Sequence, residues 1–132
     1  MTFTRIKGGI AAVRGIAVLG KHCGIKKQKK DLAVIYSEKP ATTAALYTTN
    51  LVKGAPLLVT QEHLKNHTAQ AIVINSGVAN VCTGQQGIRD AEEMARMAAR
   101  ELHIREEDVL VASTGLIGAY VPMENIRKGL MG

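Results

Sequence analysis

Large aromatic side chains are scarce in this sequence. There is no tryptophan, and Phe3, Tyr36, Tyr47 and Tyr120 are the only large rings among 132 residues. A core must therefore be assembled from Ala, Val, Ile, Leu and Met, and at 46% apolar content the chain has enough of them. Base stacking on interleaved aromatics has no material here. Cysteine is equally thin. Cys23 and Cys82 cannot build a disulfide framework, and nothing else marks an oxidising compartment. Long apolar runs are missing as well. None is long enough to span a bilayer, and the opening MTFTRIKGG has no signal-peptide core. These absences lead to the expectation of a cytoplasmic protein that engages neither membrane nor nucleic acid.

What is present is positive charge. The formal net charge is +6, and Lys21, Lys26, Lys27, Lys29 and Lys30 supply much of it. A nucleic-acid groove is one use for such a cluster. Without a nucleic-acid motif beside it, a solvated loop is the better reading. No repeat, linker or low-complexity block divides the chain, so residues 1–132 read as a single domain.

Hydrophobic patterning outlines the elements. Asp31–Ser37 (DLAVIYS) predicts a buried strand, Thr43–Thr48 (TAALYT) a second and Pro56–Val59 (PLLV) a short third. Thr60 is placed to cap a brief helix over Gln61–Asn66. Ala71–Asn75 (AIVIN) is the clearest strand. The succession Ile72, Val73, Ile74 predicts cover on both faces, and Ser76-Gly77 should stop it. Ile88, Ala91, Met94, Ala98 and Leu102 form one helical stripe, with a capping box from Thr83 to Gln86 at its start. Asp108–Ala112 predicts another strand. A last helix begins at Pro122, runs through Lys128 and stops at Gly129. Strand, helix and strand from Ala71 to Ala112 make a βαβ unit. The fold class is α/β (α+β), with helices packed in layers on a mixed sheet.

Several residues invite a chemical reading. His63 and His67, four apart, have the spacing of a metal pair but lack a third ligand nearby; surface histidines are the better reading. Cys82 precedes a helix N-terminus, where a thiolate is favoured, yet no neighbouring base appears. It reads as a small apolar residue packed under a loop. Two stretches of small and hydroxyl residues stand out at strand ends: Asn75–Gly84 (NSGVANVCTG) and Val111–Gly118 (VASTGLIG). Neither has the spacing of a phosphate loop or a dinucleotide fingerprint. Successive amides at Thr114-Gly115 can converge on an oxyanion, or the stretch is only a strand-ending turn.

Taken together, NSGVANVCTG, QQGIRDAEEMA, VLVASTGLIG and VPMENIRKGL resemble the ornithine acetyltransferase (glutamate N-acetyltransferase) family of arginine biosynthesis. The upstream sequence KGGIAAVRGIAVLGKHCGIKKQKKDLAVIYSEKPATTAALYTTNLVKGAPLLVT is similar to that family's N-terminal region, in order. Val78 and Val81 depart from the family's Asn-Ser-Gly-Asn-Ala-Asn-Ala-Cys-Thr-Gly, and a proline usual near Arg14-Gly15 is missing. The resemblance implies a fold shared with a self-processing aminopeptidase. It also implies transfer of an acetyl group from N-acetylornithine to glutamate through an acetyl-threonine. No cofactor is implied; acetyl-CoA serves some members as a second acetyl donor. In the family the Thr-Gly of Ser-Thr-Gly forms the oxyanion hole, which on this chain is Thr114 and Gly115.

The family nucleophile is the new N-terminal threonine released by self-cleavage at an Ala-Thr-Met-Leu type motif. That motif is not in this sequence, and Ala41-Thr42-Thr43 lies in the wrong region. The expectation is the N-terminal portion of an α chain, truncated, without a nucleophile and inactive by itself. Its partners would be the β chain of the same precursor, in an α2β2 heterotetramer, with sheet edges left unpaired and prone to association in the isolated piece. A non-catalytic binding or assembly module is the competing reading.

Overall fold

The structure, a computed structural model, describes residues 2–132. Four strands and three helices follow one another as β1 (Ile16–Lys21), β2 (Leu32–Thr42), α1 (Ala55–His63), β3 (Thr68–Val78), α2 (Gly84–Leu102), β4 (Val109–Leu116) and α3 (Met123–Met131). The sheet order is β1-β2-β3-β4. The first three strands are antiparallel neighbours, whereas β3 and β4 run parallel. Parallel neighbours need a crossover, and α2 provides it, so the predicted βαβ unit is present. This is the mixed α/β layering expected from the sequence.

One face of the sheet carries the core. Alternate residues of β3 (Ala69, Ala71, Val73 and Asn75) are buried, and Val73 and Val109 have no exposed surface. Ala71, Val73 and Val109 meet Met94, Ala95 and Ala98 of α2 and Ile126 of α3, where burial of each large side chain contributes roughly 1.5–3 kcal/mol, while Ala69 packs in a smaller cluster with Leu64 and Leu110. The buried face of α2 is wider than the predicted stripe, taking in Gly87, Asp90, Ala95, Met97 and Ala99 as well. On the other face Ile35, Ile72, Ile74 and Ala112 are only half-buried. Cover on both faces, expected from the Ile-Val-Ile run, is therefore complete on one face alone among the described residues.

Several boundaries differ from the sequence reading. Thr43–Thr48 is not a strand: the backbone leaves the sheet after Thr42, and Leu46 is fully exposed. Strand propensity without a pairing partner does not make a strand. β2 itself bulges between Tyr36 and Ala41, the stretch that holds Pro40, which has no amide for the ladder. Pro56–Val59 is helical and belongs to α1. A short apolar run does not distinguish strand from helix, and Pro56 suits the first turn. Thr60 is inside that helix and caps nothing. β1, which follows Gly15 and contains Gly20, is a strand that the sequence pattern does not predict. Gly129 does not end α3 but lies within it; a methyl group there would strike Leu32 and Cys23, so its smallness lets the helix sit on the sheet.

The outer edge of β4 is partly closed by α1. The Thr60 hydroxyl donates to the Val111 carbonyl at 2.9 Å and accepts from its N–H at 3.0 Å. His63 Nδ1 donates to the Val109 carbonyl at 2.7 Å. His63 is thus a half-buried edge cap rather than a surface histidine, and this stretch of edge is not bare.

The lysine-rich segment is the β1–β2 connection, and Asp31 organises it. Its carboxylate accepts from the Cys23 and Lys26 amides at 2.7 and 2.8 Å. Burial pushes the Asp31 carboxyl up, but those two amides, the Cys23 thiol and the charge of His22 outweigh it and hold the pKa at about 2. Burial, and then the Asp31 carboxylate beside it, push the Cys23 thiol up to about 11. Because the folded Asp31 pKa lies below its ordinary 3.8, its stabilisation is complete above that value and is lost as pH falls toward about 2. Asp31→Asn is therefore expected to lower the urea midpoint at pH 7, with the gap from wild type closing between about pH 4 and pH 2. A gap that does not change with pH would remove the carboxylate from this role.

Candidate functional site

The two small-residue stretches meet. In the parallel β3–β4 ladder Asn75 pairs with Ser113, Ser76 with Thr114 and Gly77 with Gly115. Beyond the ladder the Ala79 N–H donates to Leu116 O at 2.9 Å, and the Gly118 N–H to Val81 O at 2.9 Å. Both strands run further than predicted, to Val78 and Leu116, so Ser113-Thr114-Gly115 is not a strand-ending turn. The turn comes later, at Ile117-Gly118.

The ladder also fixes where the Thr114 and Gly115 donors point. Val109 and Val111 turn their backbone groups outward to α1, while Leu116 turns its carbonyl inward to β3. Backbone direction alternates along a strand, so the Gly115 N–H faces outward, away from β3. Side chains alternate as well. Val109 and Val111 enter the helix-covered core, which places the Thr114 side chain on the opposite, half-open face. Thr114 and Gly115 are both exposed. A hydroxyl and the following amide thus stand free at one corner of the sheet, at the C-terminal ends of its parallel strands, where α/β sheets commonly bind ligands.

Two glycines make this corner possible. Gly115 has φ +134°, and a Cβ there would overlap the Gly77 carbonyl and the Val78 nitrogen. Gly77 has φ +127°, and a Cβ there would come within 2.7 Å of Ile25. Both positions have a positive φ that favours glycine, and a Cβ would meet backbone at Gly115 and the Ile25 side chain at Gly77.

Two asparagines of NSGVANVCTG hold the connections, and the sequence reading missed them. Asn75 is fully buried. Its Nδ2 donates to Val78 O at 2.9 Å, and its Oδ1 accepts the Ser113 hydroxyl at 2.5 Å. Asn80, also fully buried, donates to Gly87 O at 2.8 Å and accepts the Thr83 hydroxyl at 2.7 Å. This bond replaces the predicted capping box: Thr83 is the N-cap but turns its hydroxyl to Asn80, and Gln86 donates to Asp90 instead. The only sequence signal was asparagine in a tight connection, where it tolerates the left-handed conformation that Asn80 adopts at φ 52°.

Other candidates stay apart. Cys82 is exposed at φ 59°, not packed under the loop as expected. Among the described residues no group of three or more His, Cys, Asp or Glu is placed to hold a metal ion. Among them too, no helix is long and apolar enough to cross a membrane.

Comparison with known proteins identifies the family. Residues 17–132 match the ArgJ family. The chain belongs to the ArgJ family. It is 53% identical over 125 residues to the arginine biosynthesis bifunctional protein ArgJ of Caldanaerobacter subterraneus, and 48% identical over 124 residues to that of Bacillus licheniformis. These alignments cover 95% and 93% of this chain but 31% and 30% of the relatives, so the chain spans about a third of their length. The ArgJ crystal structure from Bacillus halodurans superposes with TM-score 0.90 at 44% identity, covering 93% of this chain and 65% of that one. The ornithine acetyltransferase of Mycobacterium tuberculosis, solved in complex with ornithine, superposes with TM-score 0.88 at 38% identity, covering 92% of this chain and 67% of that one. The four-stranded mixed sheet with its three helices is thus an ArgJ-type fold, and the Thr114–Gly115 corner is part of the segment shared with the family.

Proposed function

We propose that this chain is the N-terminal part of a glutamate N-acetyltransferase (ornithine acetyltransferase) and that Thr114 and Gly115 form its oxyanion hole. The observation that carries this reading is the exposed pair of donors at the end of β4, an outward N–H next to a free-standing hydroxyl, in a chain of the ArgJ family. A threonine hydroxyl from another segment of the precursor attacks the acetyl carbonyl of N-acetylornithine, and its proton passes to that threonine's own amine. The carbonyl electron pair moves onto oxygen, where the Thr114 hydroxyl and the Gly115 N–H receive it. Collapse expels the ornithine amine, which takes up the proton. Glutamate's amine then attacks the acetyl-threonine ester through a second oxyanion in the same place; its collapse breaks the ester C–O bond, releases N-acetylglutamate, and the proton lost by the attacking amine returns through the threonine's own amine to its hydroxyl.

The chemistry needs no cofactor, and acetyl-CoA, where it is used, enters as an alternative acetyl donor. The β chain of the same precursor is the partner, in an α2β2 heterotetramer. The expected result is transfer of acetyl from N-acetylornithine to glutamate by the full-length protein and none by the 132-residue chain alone. Mass spectrometry of the native protein should find a second chain beginning with threonine. Turnover by the isolated chain would show that it does not depend on a nucleophile supplied from elsewhere.

A further inference from the structure

Behind the exposed donors lies a buried pair. Asn75 and Ser113 are register partners on the parallel strands, one residue before the Ser76–Thr114 pair. Asn75 has no exposed surface, and its orientation is fixed by its partners. A carbonyl can only accept, so the amide end must face Val78 O, and the oxygen end is left to accept the Ser113 hydroxyl at 2.5 Å. The side chain therefore ties β3 to itself across Gly77, and ties it to β4 at the residue before Thr114.

That is where the backbone most needs holding. Gly77 and Gly115 face each other in the ladder, both in the left-handed region, and the register becomes irregular at Gly77 and Val78. Glycine has the largest conformational freedom of any residue, so two opposed glycines leave this strand end loose unless side chains fix it. Donors aimed at a developing charge work only if they are already in place, and small misplacement is costly.

We infer that Asn75 and Ser113 are positioning residues that hold Thr114 and Gly115 in register for the oxyanion, with the Ser113 hydroxyl acting as a strut rather than as a nucleophile. This inference rests on the oxyanion-hole reading above. A double-mutant cycle in the full-length enzyme separates the two. Thr114→Ala alone tests the oxyanion hole, and an unchanged kcat would sink that reading and this inference with it. With Thr114 in place, Ser113→Ala is expected to lower kcat about tenfold while KM stays within about twofold. On the Thr114→Ala background the same change should cost a clearly smaller factor, because only the Gly115 N–H is then left to be positioned. A Ser113→Ala variant with unchanged kcat, or one that loses the same factor on both backgrounds, would overturn the inference and leave the oxyanion hole standing. Should Ser113→Ala fail to fold, Ser113→Cys keeps the volume with a weaker donor. It should show the same non-additivity at smaller size, and additivity there counts equally against the strut.

Discussion

Thr114→Ala in the full-length enzyme is expected to lower kcat by about 10²–10³ while KM changes by less than about threefold. The asymmetry follows from where the hydroxyl stands. It is a polar donor on the half-open face of the sheet, next to an outward backbone N–H, and nothing in that placement favours a neutral acetyl group over a charged one until the oxygen becomes anionic. A donor used only in the transition state lowers kcat and kcat/KM together when removed. Thr114→Ser keeps the hydroxyl and should retain most of the rate. A Thr114→Ala enzyme with raised KM and unchanged kcat would make Thr114 a substrate contact and remove it from the oxyanion hole. Residual turnover is expected in any case, because the Gly115 N–H comes from the backbone and survives the substitution.

Gly115→Ala is expected to be the most damaging single-methyl change in this region. Two costs add. The φ of +134° is strained for any residue with a Cβ, at about 1–3 kcal/mol, and overlap with the Gly77 carbonyl and Val78 nitrogen costs about 1–3 kcal/mol more. Because the colliding atoms are backbone, relief requires the β3–β4 ladder to separate at the site itself. Gly118→Ala is the control: its φ is +80°, but no atom lies within 4 Å of the added methyl, so only the conformational cost of about 1–2 kcal/mol remains. Urea unfolding of the chain should rank Gly115→Ala well below Gly118→Ala. Equal destabilisation would mean that the close approach of the two strand ends contributes nothing.

Hydrophobic pattern was enough to find the elements whose burial is regular. Ala71–Asn75 and the α2 stripe from Ile88 to Leu102 fell inside observed elements, Asp108–Ala112 did so from Val109 onward, and their order identified the crossover. Pattern failed where a neighbour decides. TAALYT has strand-like composition and no strand beside it. PLLV became helical because Gly54 and Pro56 begin a turn there and Val59 finds the core. Gly129 resembled a helix stop, yet the space beside it is filled by Leu32 and Cys23. Thr60 and His63 passed for a helix cap and a surface histidine, because a sequence does not reveal that a strand edge lies alongside them.

The residues themselves determined a small aliphatic α/β chain, its central βαβ unit, and two suspect stretches whose combined wording resembles one family. Alternation along a strand is a local property, so the side to which each residue turns was already implied once the strands were placed. Tertiary structure alone decided that NSGVANVCTG and VASTGLIG lie side by side, because parallel register is set by how α2 returns the chain to the sheet. It decided, too, that Asn75 reaches Ser113, 38 residues away. The physical reason is the same in both cases. A hydrogen bond between distant residues is chosen by the packing that brings them together, and no local preference of either residue encodes it.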